Sequence, residues 1–385
     1  MLRYLTAGES HGPGLVAIVE GMPAGVEVTA DGIADQLARR RLGHGRGNRM
    51  KLEKDELEIM GGVRFGKTLG SPVAVVVRNT EWPRWQKDMS PEPGGEATRT
   101  LTTPRPGHAD LVGMQKYDTH DARDILERAS ARETAARTVV GYLARQVLAA
   151  LDIEVLSHVM AIGSVEAPAG LVPERGSLDR IDDDPVRCAD PTSSAAMVEE
   201  VDRAKADRDT LGGIIEVVVH GLPPGVGSHV HWDRRLDAKL AEAVLSVQAM
   251  KGVEIGDGFD QARSRGSVAH DEIVTEGDQT FARASNRAGG SEGGMTTGAP
   301  LRVRAAMKPI STVMRPLRTV DVVSKEPDVA FRERSDVSAV PRAGVVLEQV
   351  VAVTVANELL RMLGGDTIGD VVAALDRYKA RLDEF

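Results

Sequence analysis

The chain alternates short apolar runs, closed off by glycine and proline, with longer stretches whose apolar residues recur at helical spacing. Leu15-Val16-Ala17-Ile18-Val19 is short and partly β-branched and reads as a strand, as do the buried-strand runs at 73–77 and 214–219. Thr29 and Asp31 offer caps to a helix with Ile33 and Leu37 at i and i+4. It ends in Arg39-Arg40-Arg41, where the helix dipole favours cations. Leu236, Leu240, Val244 and Val247 mark another helical face, and Leu143, Val147 and Leu151 form a stripe on a mostly helical stretch, 121–151. Thr367 and Asp370 form a capping-box pattern ahead of Val371, Leu375, Tyr378 and Leu382, predicting an amphipathic helix over 367–383 that needs a surface to lie on.

The pattern also repeats. Val19-Glu20-Gly21-Met22-Pro23-Ala24-Gly25-Val26 returns as Val219-His220-Gly221-Leu222-Pro223-Pro224-Gly225-Val226, and Gly66-Lys67-Thr68-Leu69-Gly70-Ser71-Pro72 is echoed by Gly294-Met295-Thr296-Thr297-Gly298-Ala299-Pro300. Gly-Pro punctuation recurs by chance; two echoes in the same order predict a duplicated unit, about 1–150 and 210–365, sharing one core. The expected class is α+β, a single domain of two repeats with a Pro-, Gly- and Asp-rich connector at 160–205. Three stretches, 79–120, 284–294 and 308–342, are too long to be plain connections, and loops of that length inside compact domains usually carry function.

Composition narrows the choices. The 385 residues hold 40 glycines and only 3% aromatics, so the core must be built from Val, Leu, Ile and Ala. No uninterrupted apolar stretch approaches the ~18 residues of a membrane span, and Met1-Leu2-Arg3-Tyr4 runs into a glycine loop with no room for a signal peptide. The lone Cys188 excludes an internal disulfide framework and fits a reducing cytoplasm. A net charge of -9 disfavours nucleic acid as a partner.

Candidate chemistry begins at Gly8-Glu9-Ser10-His11-Gly12-Pro13-Gly14, a loop that presents a hydroxyl beside an imidazole. It matches G-x-S-x-G, but that nucleophile elbow needs a helix after it, and here a strand follows. Residues 61–68 satisfy the P-loop pattern; Gly70, Pro72 and the β-branched run after them announce a strand where a P-loop requires a helix N-terminus. No G-x-G-x-x-G occurs, which removes support for a Rossmann site. His229 and His231 lack a third ligand nearby, so no metal site is expected. The arginines are harder to dismiss: Arg39, Arg40, Arg41, Arg46 and Arg49 crowd a glycine-loosened stretch, Arg128, Arg132 and Arg137 form a second group, and Arg332 and Arg334 a third. Forked guanidinium groups suit carboxylates and phosphates. Brought together in one pocket they repel by about 4 kcal/mol per pair at ~4 Å, which only a multiply anionic ligand offsets. Lys308-Pro309-Ile310-Ser311-Thr312 adds a cation and two hydroxyls.

Gly8-Glu9-Ser10-His11-Gly12, Arg128-Ala129-Ser130-Ala131-Arg132-Glu133-Thr134 and Arg334-Ser335-Asp336 resemble the three signature regions of the chorismate synthase family, in order and in separation. Pro106-Gly107-His108, Lys251-Gly252-Val253-Glu254-Ile255-Gly256 and Lys308-Pro309-Ile310-Ser311 look like further family landmarks, and the match spans essentially the whole chain. Ala129, where many relatives carry serine, departs from the pattern and leaves its backbone for a contact.

The resemblance implies a lyase that takes 5-enolpyruvylshikimate 3-phosphate to chorismate and phosphate by a 1,4-anti elimination with reduced FMN, with NADPH as an indirect reductant and intrinsic NADPH-dependent flavin reduction, which some family members carry out, left open. Two carboxylates and two phosphates would then supply the anions for the arginines. It also implies a β-sandwich core surrounded by helices, long loops as lids, and a homotetramer. Carried over by position, His108 protonates the departing phosphate, His11 protonates the reduced flavin or holds its anion, and Asp336 relays the ring proton through the flavin, with Ser10 and Ser130 as hydrogen-bonding partners. Free imidazole is only about one quarter protonated at pH 7, so both histidines rely on neighbouring anions. Arg40, Arg46, Arg49, Arg132 and Arg334 are the implied anion clamps. Implied FMN contacts are Arg128, Ala129, Ser130, Gln248, Ala249, Gly293, Lys308, Pro309, Ile310, Ser311, Thr312 and Arg334. The competing readings are a serine hydrolase using Ser10 and a non-catalytic sensor of anionic metabolites.

Overall fold

The computed structural model describes residues 1–45, 56–95, 97–98, 100–276, 280–333 and 336–385. Strands β1 (Arg3–Ala7), β2 (Gly14–Glu20), β3 (Glu56–Gly61) and β4 (Val73–Arg78) form an antiparallel sheet in the order β1-β2-β4-β3. The alternation works as expected: Leu15, Ala17, Val19, Val73, Val75 and Val77 face inward and are buried. A second antiparallel sheet holds β5 (Glu154–Ile162), β6 (Val165–Glu166), β7 (Gly213–His220), β8 (Met250–Ile255) and β9 (Leu301–Met307), in the order β8-β9-β7-β5-β6.

The principal helices are α1 (Ala30–Arg39), α2 (Asp110–Tyr117), α3 (Arg123–Ala129), α4 (Thr134–Ala150), α5 (Pro191–Ala206), α6 (Leu236–Leu245), α7 (Val340–Leu363) and α8 (Ile368–Asp383). Thr29 caps α1 through its side chain, and Thr367 with Asp370 closes a complete capping box on α8. The helical stretch at 121–151 is broken between α3 and α4 by the turn at Ala131–Glu133, and α2 lies inside the supposed loop 79–120.

A β-sandwich surrounded by helices is not what the chain builds. Helices α4 and α7 pack on each other, α4 against the first sheet and α7 against the second. The reason is in their sequences: both are buried nearly all round, from Thr134 to Leu148 and from Val340 to Leu360, and a helix apolar on every side must be covered on every side. α7 has the length and hydropathy of a membrane span, yet 89% of its apolar window is buried inside this core. Gly141 permits the close crossing, since a Cβ there would stand 2.1 Å from that of Gln349.

Apart from the short β6, the two sheets share one order, β1-β2-β4-β3 matching β5-β7-β9-β8, and the sequence echoes meet in space in the same way. The Thr68 hydroxyl donates to Pro23 O (2.6 Å) and accepts from Val26 N (2.9 Å); the Thr296 hydroxyl donates to Pro223 O (2.6 Å) and accepts from Val226 N (2.9 Å). The connector falls between β5 and β7, inside the second set of strands.

Candidate active site

The site begins at the hairpin joining β1 to β2. Gly8 has φ +102°, and a Cβ there would come within 2.2 Å of Gly14 O, so the chain can double back only through glycine. The loop docks on α3: Ser10 N donates to Glu127 O (3.0 Å), His11 N to Glu127 Oε2 (2.7 Å), and His11 Nδ1 lies 2.8 Å from Glu127 Oε1. The Ser130 hydroxyl donates to that of Ser10 (3.2 Å), and the Trp85 ring lies against the His11 ring at 4.1 Å. Because the exit is β2, Ser10 is not on a nucleophile elbow. Burial alone would raise the Glu127 carboxyl; hydrogen bonds from His11 and Arg123 prevail and hold it below the usual range.

A second imidazole comes from the approach to α2. His108 Nδ1 lies 2.5 Å from Asp110 Oδ1, while Arg105 donates from Nε to Asp110 Oδ2 (2.8 Å) and from Nη1 to Thr312 Oγ1 (3.2 Å). Asp110 is fully buried. That burial would raise its pKa, but bonds from His108 and Arg105 bring it down to about 2.

Both imidazoles open on one cleft of about 450 Å³. Ser10, Ala129, Ser130, Gln248, Ala249 and Asp336 line it, with the run Lys308, Pro309, Ile310, Ser311 and Thr312. Lys308 donates to Gly107 O, as does the Ser311 hydroxyl (3.0 Å). Burial and then the neighbouring Lys251 push the Lys308 amine down. Gln248 Nε2 donates to Glu133 Oε2 (3.3 Å), leaving Oε1 buried with no hydrogen-bond partner among the described residues. Asp336 pairs with Arg342.

Other expected residues lie elsewhere. Arg128, 45% exposed, donates to the carbonyls of Thr6 (2.9 Å) and Gly8 (3.2 Å) and so ties α3 to β1. Arg132 donates to Asn79 Oδ1 (3.2 and 3.1 Å), and Arg40 is buried with Nη1 at Thr134 Oγ1 (3.3 Å). Neither is among the cleft-lining residues, nor is Gly293, which turns a short hairpin. Arg46, Arg49 and Arg334 lie outside the described residues. The guanidinium groups that do reach the cleft, Arg105 and Arg342, were not singled out from sequence, nor were Asp110 and Glu127. The available signals were proximity: Asp110 stands two residues after His108, and Glu127 directly before Arg128.

The profile of chorismate synthase matches residues 2–360. The chain belongs to the chorismate synthase family. It is 60% identical over 386 residues to chorismate synthase from a Nocardioides species, covering 98% of each chain, and 61% identical to that of Salinispora tropica, covering 96% of each. A crystal structure of chorismate synthase superposes with a TM-score of 0.80 at 38% identity, covering 100% of this chain and 99% of the other. Part of this chain's arginine surplus is structural. Arg39 and Arg187 bind the fully buried Glu348 (2.7 and 2.8 Å), Arg145 joins them at 3.2 Å, and Asp182 pairs with Arg39 and Arg187. His231 is exposed and bonded to Asp233 (2.7 Å). Among the described residues, no group of three His, Cys, Asp or Glu side chains is arranged to hold a metal.

Proposed function

We infer that the protein converts 5-enolpyruvylshikimate 3-phosphate to chorismate and phosphate by a 1,4-anti elimination that depends on reduced FMN. The observation that carries this reading is the convergence of His11 and His108, from separate loops, on one cleft with Lys308, Arg105, Arg342 and the carboxylate of Asp336. The residues present fit a flavin phosphate and ring: Lys308 is pressed toward neutrality by burial and Lys251, and an anion beside it relieves both, while the orphaned Gln248 Oε1 can accept from a ring N–H.

Lys308, Ser311 and Thr312 would grip anionic groups, and Gln248, Ala249, Ala129 and Ser130 would flank the ring. Reduced FMN, when bound, lends electron density as phosphate departs. His108 delivers a proton to the departing phosphate; His11, buried between Glu127 and Trp85, holds a proton facing the same cleft. Asp336, steadied by Arg342, accepts the ring proton. Arg40, Arg46, Arg49, Arg132 and Arg334 complete the proposed anion clamps, and Arg128 and Gly293 the proposed cofactor contacts. The proposal extends to a homotetramer of duplicated halves working in the cytoplasm, with NADPH acting only upstream of the flavin.

The test is an anaerobic assay of purified protein with enolpyruvylshikimate phosphate and chemically reduced FMN, following chorismate absorbance and phosphate release. Turnover is expected only with reduced flavin and nearly lost in His108→Ala. Turnover with oxidised flavin, or unimpaired turnover in that variant, contradicts the reading; covalent labelling of Ser10 by a fluorophosphonate would favour the hydrolase.

A further inference from the structure

The two imidazoles are held by the same device built twice. In each, the ring reaches a carboxylate through Nδ1, and the carboxylate is bound by an arginine whose guanidinium lies over an aromatic ring. One set is His108, Asp110 and Arg105 over Phe331 (4.5 Å); the other is His11, Glu127 and Arg123 over Trp85 (4.9 Å). All four partner side chains are buried, Asp110 completely and Glu127, Arg105 and Arg123 at 3%, 8% and 7% exposure. The sets come from different loops and helices, so this arrangement is not a by-product of one turn.

We propose that Asp110 and Glu127 are positioning residues that fix the proton of each imidazole on Nδ1, so that His108 and His11 exchange protons with the bound molecules through Nε2 alone. This rests on the proposed elimination for its chemical consequence. An ionised carboxylate can only accept a hydrogen bond, so the ring nitrogen facing it carries the hydrogen; at His108 Nδ1 the carboxylate, at 2.5 Å, stands nearer than the donor Arg105 Nη2, at 3.1 Å. The arginines keep each carboxylate ionised. Arg105 binds Asp110 with Nε at 2.8 Å and Nη2 at 3.1 Å, and Arg123 Nη1 lies 3.1 Å from Glu127 Oε1. A carboxyl so held does not take the ring's proton for itself, and the Nε2 proton remains the one to be given up. The charged groups around His108 are Asp110, Arg105, whose Nη2 lies 3.1 Å from Nδ1 and 3.4 Å from Nε2, and Lys308, which reaches Gly107 O; Glu333, Asp336 and Arg342 line the same cleft. Around His11 they are Glu127 and Arg123, the latter also 3.6 Å from Glu333.

Ligand-free wild-type protein labelled with ¹⁵N-histidine tests the assignment directly by long-range ¹H–¹⁵N NMR. The His108 and His11 signals, identified among the nine histidines by their loss in His108→Gln and His11→Gln, are expected to show a protonated Nδ1 and a bare Nε2 in the neutral ring. The opposite tautomer in either ring overturns the proposal for that ring, and this holds whether or not Asp110→Asn folds. In the folded Asp110→Asn variant, kcat is expected to fall about a hundredfold or more with little change in KM. In a His108→Ala background the same substitution should add no further loss. An equal loss in both backgrounds would mean a structural role and sink the idea. If wild type forms no chorismate with reduced FMN, the functional reading falls, while the ring-nitrogen result still decides this one.

Discussion

One amide, Asn79, holds the loop that presents Ser10 and His11. Its Nδ2 donates to Gly12 O (2.7 Å) and to the carbonyls of Glu9 and Ser10 (both 3.3 Å), while its Oδ1 accepts from Arg132. Asn79→Ala removes every one of these bonds at once, and each such bond contributes about 0.5–1.5 kcal/mol. The expected result is a lower melting temperature and a drop in kcat of about tenfold or more, the loop having lost its fixed geometry; unchanged kinetics in the folded variant would count against it. From sequence, the guanidinium chemistry of Arg132 is legible and its bond to Asn79 is not. The acceptor it uses lies 53 positions away, at a distance no periodicity reports. Arg105 escapes a reading of the sequence for the same reason, although it directly precedes Pro106-Gly107-His108.

Among the elements, the crossing of α4 on α7 sets the thickness of the core. A Cβ at position 141 would meet Gln349 Cβ at 2.1 Å and Gln349 Cα at 2.6 Å, so backbone has to move. Gly141→Ala is expected to destabilise by about 1–3 kcal/mol despite Ala's higher helix propensity, as read from urea unfolding; a stabilised variant would show that the crossing is loose. The amphipathic helices α1, α6 and α8 were readable because one side of each meets water. α7 was passed over because its apolar residues surround it, and a pattern without a polar face has no period to detect.

At the scale of the molecule, buried carboxylates tie stability to pH. Burial alone would raise Glu348 and Glu216, but Arg39, Arg187 and Arg145 hold the first at about 2, and His158, Arg302 and Arg304 the second at about 2, against an ordinary 4.5. A pKa depressed by folding contributes stability that is present in full above the unfolded value and disappears as pH falls through the folded one, on the order of 3 kcal/mol for each group. Thermal melts should therefore be level from pH 8 to about 6 and decline below about pH 4.5. A melting temperature equal at pH 7 and pH 3 would refute this ledger of charges. The outer face of the first sheet leaves Leu5, Ile18 and Met60 at 68%, 40% and 59% exposure, a surface suited to burial in the proposed tetramer. Ile18→Asp should yield a smaller species by sedimentation velocity with unchanged circular dichroism. A wild-type monomer at micromolar concentration would remove the tetramer from the proposal.

The amino-acid sequence by itself determined the strands at 15–19, 73–77 and 214–219, the capped helices, the echoed segments and the identity of the groups that can move protons, because alternation, capping and side-chain chemistry are local properties. It also carried the family resemblance, since motifs keep their order along a chain. Only the tertiary structure decided that helices lie between the sheets, that Arg39 and Arg187 pair with the buried Glu348, and that each cleft histidine leans on its own buried carboxylate. Burial and charge pairing depend on which distant residues meet, and that is a property of the packed chain.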